Sequence, residues 1–142
     1  TDPQSKIWRQ NVAATCGKCH SDVYKTYAQS IHGQAVSKGV LQAATCTDCH
    51  SEHRILAPGD ANSPVYMANV SQEACSRCHA DTQLMAGFNL PQDRVPTYED
   101  SYHGLAAHEG RQSVANCASC HGVHNIYPSS DPRSTGNRSK QS

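Results

Sequence analysis

The sequence predicts a mostly irregular fold with short α-helices and little or no β-structure. Helical periodicity is confined to three short stretches, Val23–Ser30, Gln72–His79 and Ser113–His121. No stretch shows the alternating pattern of a strand. Large apolar side chains are scarce, since 142 residues include one Phe and one Trp and the mean hydropathy is −0.65. Either the chain is disordered or something other than its side chains fills the core.

Charge and hydropathy exclude two classes of partner. The 12 basic and 12 acidic residues give a formal net charge of zero, so no basic surface for nucleic acid is expected. No run of 18 apolar residues occurs, so no membrane span is expected. The chain opens with Thr1-Asp2-Pro3, which fits a mature exported protein after removal of a signal peptide.

All eight cysteines belong to one repeated pentapeptide, C-x-x-C-H. In this motif the two thiols form thioethers with the vinyl groups of a c-type haem, and the adjacent histidine becomes the proximal iron ligand. The predicted attachment residues are Cys16, Cys19, Cys46, Cys49, Cys75, Cys78, Cys117 and Cys120, and the proximal ligands are His20, His50, His79 and His121.

The other common uses of cysteine fit this pattern poorly. Zinc ribbons do not require a histidine after each second cysteine, and a thioredoxin-like pair occurs once beside a βαβ unit. A disulfide framework does not require the histidines either. The sequence therefore predicts four haem c groups, each with one iron, and a core formed by four stacked c-type haems.

The number of histidines exceeds the number of iron positions by one. Nine histidines are present, and four of them are proximal ligands. Met67 and Met85 are the thioether alternatives, which would raise the reduction potential. Because histidines are in excess, we expect bis-His ligation at all four irons. The candidates for the distal side are His32, His53, His103, His108 and His124.

An internal repeat with a period of 71 residues identifies four of these five. It superposes Thr26-Tyr27-x-x-Ser30-x-His32-Gly33 on the stretch that ends in His103-Gly104, and Gly39 on Gly110. It also superposes His53 on His124 within C-x-x-C-H-x-x-H-x-I. We therefore predict His32, His53, His103 and His124 as distal ligands. His108 falls on Ser37 and is expected to lie in solvent or beside a propionate.

The repeat also predicts the domain organisation. Residues 1–142 are expected to form a single tetrahaem domain with repeats at about 16–71 and 75–142. Residues 54–71 are the predicted linker, with Ser71 as a helix N-cap. The polar tail, residues 127–142, resembles a disordered end. Nevertheless the 71-residue register continues there, placing Asp60 on Asp131 and Ser63 on Ser134.

The pairing of distal histidines with haems stays open at this stage. His32 is expected on the second haem and His103 on the fourth, with Gly33 and Gly104 letting the backbone approach a porphyrin. If His53 serves the third haem, His124 should serve the first haem of another copy of the chain. In the competing scheme His53 serves the first haem and His124 the third, which gives a self-sufficient monomer.

Residues 16–126, with S-x-H-G, C-x-x-C-H-x-x-H and the duplicated pair of motifs, resemble the multihaem c-type cytochromes of the doubled C-x-x-C-H kind. Among tetrahaem members, the chain resembles the subunits of extracellular cytochrome filaments, the microbial nanowires. This resemblance implies a continuous chain of haems, bis-His irons and one axial histidine donated by the neighbouring subunit.

Three functions follow from these observations. The first is a filament that carries electrons outside the cell, with head-to-tail copies of the chain and extracellular acceptors or redox proteins as partners. The second is a monomeric periplasmic electron shuttle. The third is a multihaem reductase, which needs an iron with an open sixth position. Five candidate distal ligands for four irons argue against an open position, so we expect no enzymatic activity.

Overall fold

A computed structural model of the protein describes residues 2–137. Its elements are short helices joined by turns, and residues 2–137 contain no β-strand, which confirms the predicted fold class. The helices are α1 (Arg9–Cys16), α2 (Ser21–Gln29), α3 (Ile31–Ser37), α4 (Cys46–His50), a π-helix (Val70–Cys75), α5 (Ser76–His79), α6 (Thr82–Gly87), α7 (Arg94–Glu99), α8 (Tyr102–His108) and α9 (Cys117–His121).

The chain divides into two compact units. One unit combines the residues up to Glu52 with those from Cys120 onward, and the other is His53–Ser119. The side chains buried in each are few and mostly small. Ala13 and Val36 are the buried apolar residues described in the first unit, and Val70, Met85, Val95 and Ala106 are those in the second. The scarcity of apolar core predicted from composition is therefore visible in both units.

The two repeats share the corner at which one helix ends and the next begins. The hydroxyl of Ser30 accepts from the N–H of Gly33 at 3.1 Å at the start of α3. Ser101 accepts from Gly104 at 3.2 Å at the start of α8 in the same way. Each serine thus satisfies an N–H that has no partner within its helix. The two S-x-H-G segments therefore begin their helices with the same capping bond.

The repeat also governs how these helices end. Gly39 follows α3 with φ +88° and Gly110 follows α8 with φ +83°, a left-handed conformation that glycine adopts without strain. The next residue in each case donates its N–H to the carbonyl five positions earlier, at 3.0 and 3.1 Å. The pairing of Gly39 with Gly110 therefore has a structural basis in helix termination.

A short series of turns occurs three times along the chain. In each copy the carboxylate of an aspartate accepts a hydrogen bond from the backbone N–H two residues later, at 2.8 to 2.9 Å. A serine three residues after that aspartate repeats the pattern: its hydroxyl accepts from the N–H two residues after the serine, at 3.2 to 3.4 Å. The aspartates are Asp2, Asp60 and Asp131, and the serines are Ser5, Ser63 and Ser134. The 71-residue register therefore holds beyond the fourth motif, and the segment before α1 is a further copy.

Several expectations from the sequence were wrong in detail. Ser71 is not an N-cap, because the π-helix begins one residue earlier and the Ser71 hydroxyl accepts from Cys117 instead. The last predicted helix begins at Cys117 rather than Ser113. Residues 127–137 of the tail form the ordered turns just described, and the rest of the tail lies outside the described residues.

Candidate haem sites

The second attachment motif is held by a charged cluster. Its helix, α4, is capped by Asp48, whose carboxylate accepts from the N–H of Thr45 at 2.6 Å and from its hydroxyl at 2.8 Å. The guanidinium of Arg9 donates to both oxygens of that carboxylate, at 2.8 and 3.2 Å, and to the carbonyl of Ala43 at 2.9 Å. This bidentate pair is about one-third exposed and fixes α1 against the motif.

The fourth attachment motif is held by neutral groups at the same positions. Asn116 and Ser119 cap α9 reciprocally: the N–H of Ser119 donates to the Asn116 side chain at 2.9 Å, and the N–H of Asn116 donates to the Ser119 hydroxyl at 3.1 Å. The Asn116 amide also donates to the carbonyl of Met67 at 2.8 Å. The Ser71 hydroxyl accepts from the N–H of Cys117 at 3.1 Å.

The first and third motifs differ by one residue in their approach. Cys16 ends α1, whereas Cys75 ends the π-helix, and α5 then carries the motif to His79. Asp60 follows Asp2 by 58 positions, but Cys75 follows Cys16 by 59. A π-helix accommodates one residue more than an α-helix over the same path. The third motif therefore keeps the same preceding turns in spite of the insertion.

One predicted distal histidine lies opposite a proximal one. The ring centres of His50 and His124 are 6.1 Å apart and their planes differ by 11°. Burial lowers the pKa of His50 first of all, and the neighbouring His124 and His20 lower it further. Burial also lowers the pKa of His124. Both imidazoles are thereby favoured in the neutral state that binds a metal.

This spacing fits an iron between the two rings. The 6.1 Å between the ring centres leaves room for one metal ion, and His50 and His124 would be the residues that hold it. Cys46 and Cys49 precede His50 on α4, so the thiols needed for covalent attachment are part of the same site. The residues present therefore fit a c-type haem at the second motif.

The thiol of Cys46 is partly buried beside another attachment cysteine. Burial raises its pKa to about 11, and the nearby Cys16 thiol raises it as well. The adjacent Tyr27 phenol donates to the carbonyl of Ala44 at 2.8 Å, and burial together with Cys46 and Asp48 raises its pKa. The first cysteines of the first two motifs are therefore neighbours, and the Cys46 thiol stays protonated at neutral pH.

The other distal candidates occupy different environments. His32 is half-buried on α3, whereas His103 is exposed on α8 with its ring edge-on to Tyr102 at 5.6 Å. His53 is exposed in a segment without regular structure. The sequence led us to expect His32 as the distal ligand of the second haem, whereas the ring that lies opposite His50 in the structure is that of His124. The distal role of each residue stays a prediction.

Gly33 and Gly104 have a role other than the one expected. A Cβ added at either position would overlap the carbonyl oxygen of the tyrosine six residues earlier, Tyr27 or Tyr98. These glycines therefore allow α3 and α8 to pack closely against the end of the preceding helix. The backbone approach that they permit is thus to the protein's own chain.

His108 lies in the second unit, exposed at the end of α8. It borders a cavity of about 180 Å³ together with Met67, Arg111 and Gln112. Ser37, its repeat equivalent, borders a smaller cavity of about 100 Å³ in the first unit. His108 and its repeat equivalent Ser37 therefore line corresponding cavities, each within its own unit.

Two features are absent from the described residues. No group of three or more His, Cys, Asp or Glu side chains within residues 2–137 is placed to hold a metal ion by itself. No helix in that range has the length and apolar character required to cross a membrane.

Two structural features were accessible from the sequence but were missed. The box around Asp48 follows from Thr45-x-x-Asp48, a polar residue followed three positions later by an acidic one, directly over an attachment motif. The third copy of the turns follows from Asp-Pro-x-Ser, which occurs at residues 2–5 and again at 131–134. The partner of Asp48, Arg9, carries no such local signal because it is far away in the chain.

Comparison with curated proteins and with solved structures finds no match. One protein family does match, over residues 3–80 and again over residues 32–125. Each match contains three of the four attachment motifs, and the overlap contains the second and third. Together with the attachment motifs and the facing pair of imidazoles, these matches show that the chain belongs to the family of cytochrome c7 and related cytochrome c, multihaem cytochromes that bind haem covalently and transfer electrons.

Proposed function

We propose that the chain transfers electrons through four covalently bound, bis-His haems and does so as the repeating subunit of an extracellular filament. The four attachment motifs and the family membership support the multihaem carrier. The resemblance to the subunits of cytochrome filaments supports the assembly and its location. The facing pair of His50 and His124 is the observation that carries the more specific part of the proposal.

This pair supports one assignment of the axial ligands. With His124 assigned to the second haem, we assign His32 to the first haem and His103 to the third, each within its own repeat. The fourth iron, held by His121, then lacks a distal ligand, and His53 lacks an iron. The simplest completion is that His53 of one subunit ligates the fourth haem of the next. The donated histidine is therefore His53, where the sequence had suggested His124.

The surroundings of His53 support its assignment to a partner. His124 lies half-buried against His50, but its repeat equivalent His53 is exposed. A ligand that is donated to another subunit has to be accessible in the free chain. Bis-His ligation at every iron would leave no open coordination position, which is what an electron carrier rather than a reductase requires.

A monomeric periplasmic shuttle is the second candidate, and one observation favours it. Because His124 reaches His50 within one chain, the second haem needs no partner subunit for its ligands. If His53 likewise reached the fourth haem of its own chain, the protein would be complete as a monomer. The two candidates differ in a single ligand and in the assembly state.

The test compares His53→Ala with His108→Ala in the haem-loaded protein. We expect the native protein to form filaments in negative-stain images and to sediment as polymers. His53→Ala should stay monomeric and show about one high-spin haem in four in its ferric absorption spectrum, because one iron loses its sixth ligand. His108→Ala, which removes the histidine outside the repeat, should behave like the native protein.

A native protein that sediments as a monomer with four low-spin haems would support the shuttle instead. In that case His53→Ala would create the same high-spin haem without any change in sedimentation.

A further inference from the structure

We infer that residues 53–62 of one copy of the chain dock on the corner between α7 and α8 of a second copy. This inference rests on the proposed function and locates its interface. It repeats between molecules a contact that the first unit already makes within itself. It is supported by the 71-residue repeat, the exposure of both surfaces and the polarity of their hydrogen-bonding groups.

The internal contact joins the segment after α9 to the corner between α2 and α3. The N–H of Ile31 donates to the carbonyl of Ile126 at 2.8 Å. The guanidinium of Arg133 donates to the side chain of Gln29 at 3.2 Å. The facing His50 and His124 belong to the same arrangement. The tail is therefore attached to the first repeat by a main-chain bond, a side-chain bond and the imidazole pair.

The repeat transfers each half of this contact to another part of the chain. On the corner, Tyr102 is equivalent to Ile31 and Asp100 to Gln29. On the segment, Ile55 is equivalent to Ile126 and Asn62 to Arg133. The hydrogen-bonding roles are kept, since the amide of Asn62 is a donor as Arg133 is, and the carboxylate of Asp100 is an acceptor as the Gln29 side chain is.

In the second unit both halves are present but exposed. Ile55 is 66% exposed and Tyr102 is 69% exposed. Among residues 2–137 the N–H of Tyr102 has no backbone acceptor, whereas that of Ile31 bonds to Ile126. Leu105 adds a further apolar side chain to the corner, 56% exposed, where the first repeat has the polar Gln34. The second unit thus presents both an exposed apolar corner and an exposed segment of the matching kind.

The choice of a second copy as the occupant follows from this complementarity. Each chain presents one segment and one corner, so each can give one contact and receive one. A contact between different surfaces of identical subunits does not close on itself unless it forms a ring, and otherwise builds a filament. His53 lies two residues before Ile55, so the same docking brings the donated ligand to the partner.

The experiment uses two single variants of the haem-loaded protein and their mixture. Ile55→Asp damages the segment but leaves the corner, and Tyr102→Asp damages the corner but leaves the segment. In analytical ultracentrifugation each should be monomeric, with at least about tenfold weaker self-association than the native chain. An equimolar mixture should form a heterodimer and nothing larger, because one intact segment and one intact corner remain.

Val123→Glu is the matched control. Val123 is an apolar residue as exposed as Ile55, and its repeat equivalent is already Glu52. This variant should assemble like the native protein. All variants should carry the same haem content per chain by pyridine haemochrome assay, which shows that they are folded and loaded.

The outcomes separate this inference from the proposed function. If the native chain forms filaments and both Asp variants do so equally well, the interface is wrong and the filament stands. If the variants are monomeric but their mixture forms no dimer, the pairing of segment with corner is wrong. If the native chain is monomeric, the filament itself is wrong.

Discussion

The two repeats build the same backbone around their attachment motifs but surround it with different charges. In the first repeat Arg9 and Asp48 form a partly buried ion pair over the second motif. At the fourth motif, Ser119 caps the helix with Asn116, and the carbonyl of Met67, which lies 58 positions after Arg9, accepts from Asn116, so these contacts carry no charge. The caps, the turns and the glycines are kept in both. The two repeats therefore keep the same backbone geometry through hydrogen bonds, although the charges around the second and fourth motifs differ.

This difference bears on the haems because a carboxylate close to an iron favours the ferric state and lowers the reduction potential. Asp48 lies inside the second motif, between its two cysteines, and Arg9 compensates its charge. The fourth motif has Ser119 at that position. The same backbone arrangement can therefore hold haems that have different reduction potentials.

The strongest test of the shared geometry is the pair Gly33→Ala and Gly104→Ala. An added Cβ would overlap a tyrosine carbonyl in either repeat, and the backbone would have to shift. We expect each variant to lose about 3 kcal/mol of unfolding free energy. Thermal unfolding followed by circular dichroism measures this loss. Gly87→Ala, where no atom lies within 4 Å of the added group, should cost nothing or stabilise the protein by about 1 kcal/mol.

A large loss at one glycine and none at the other would break the equivalence of the two corners.

Arg9→Met tests the ion pair, because it installs the residue type of Met67, which lies at the equivalent position 58 residues later. It leaves the Asp48 carboxylate partly buried without its guanidinium partner, so we expect a loss of about 2 kcal/mol and a lower potential at the second haem. Chemical unfolding and a redox titration resolved by haem measure the two effects. The reciprocal Met67→Arg should change stability by less than about 0.5 kcal/mol, because Ser119 offers no charge.

The double variant Arg9→Met with Asp48→Ser sharpens this result. It reproduces the neutral arrangement of the fourth motif and should recover most of the lost stability, while the potential of the second haem rises above that of the single variant. No recovery in the double variant would mean that Arg9 acts by packing alone.

The smallest expected effect separates Tyr27 from Tyr98. Both phenols donate to a backbone carbonyl just before an attachment motif, but at 2.8 Å in the first repeat and 3.2 Å in the second. Tyr27→Phe should therefore lose about 1 kcal/mol by thermal unfolding, and Tyr98→Phe less than half of that. Tyr66→Phe, whose phenol bonds to the exposed Gln112 at 3.3 Å, should have no measurable effect. Equal losses at Tyr27 and Tyr98 would contradict the difference in bond length.

The attachment residues were predictable because they are local. A C-x-x-C-H motif holds both attachment thiols and the proximal histidine within five residues. The recurrence of S-x-H-G in the sequence likewise marked the helix corner at Ser30. The fold class followed in the same way from the lack of apolar residues. Composition, spacing and repetition were sufficient for these features.

The remaining features depend on distance along the chain. Arg9 meets Asp48 across 39 positions, and no local pattern announces that contact. From the sequence alone His124 was compatible with several haems, because its spacing after a motif does not determine the direction in which the chain turns. The π-helix before Cys75 adds one residue, which periodicity over so short a stretch does not register. Long-range packing decided the first two cases, whereas the third is a local change of helix type.

The position of His124 also has a consequence for the order of maturation. It follows His50 by 74 positions in the chain, so the two imidazoles meet only after the segment that follows α9 has been synthesised. Until then the second motif has its thiols and its proximal histidine but one open face. Closing so long a loop is a late and slow event compared with the formation of the local helices. The ring that faces His50 thus comes from a segment made well after the second motif.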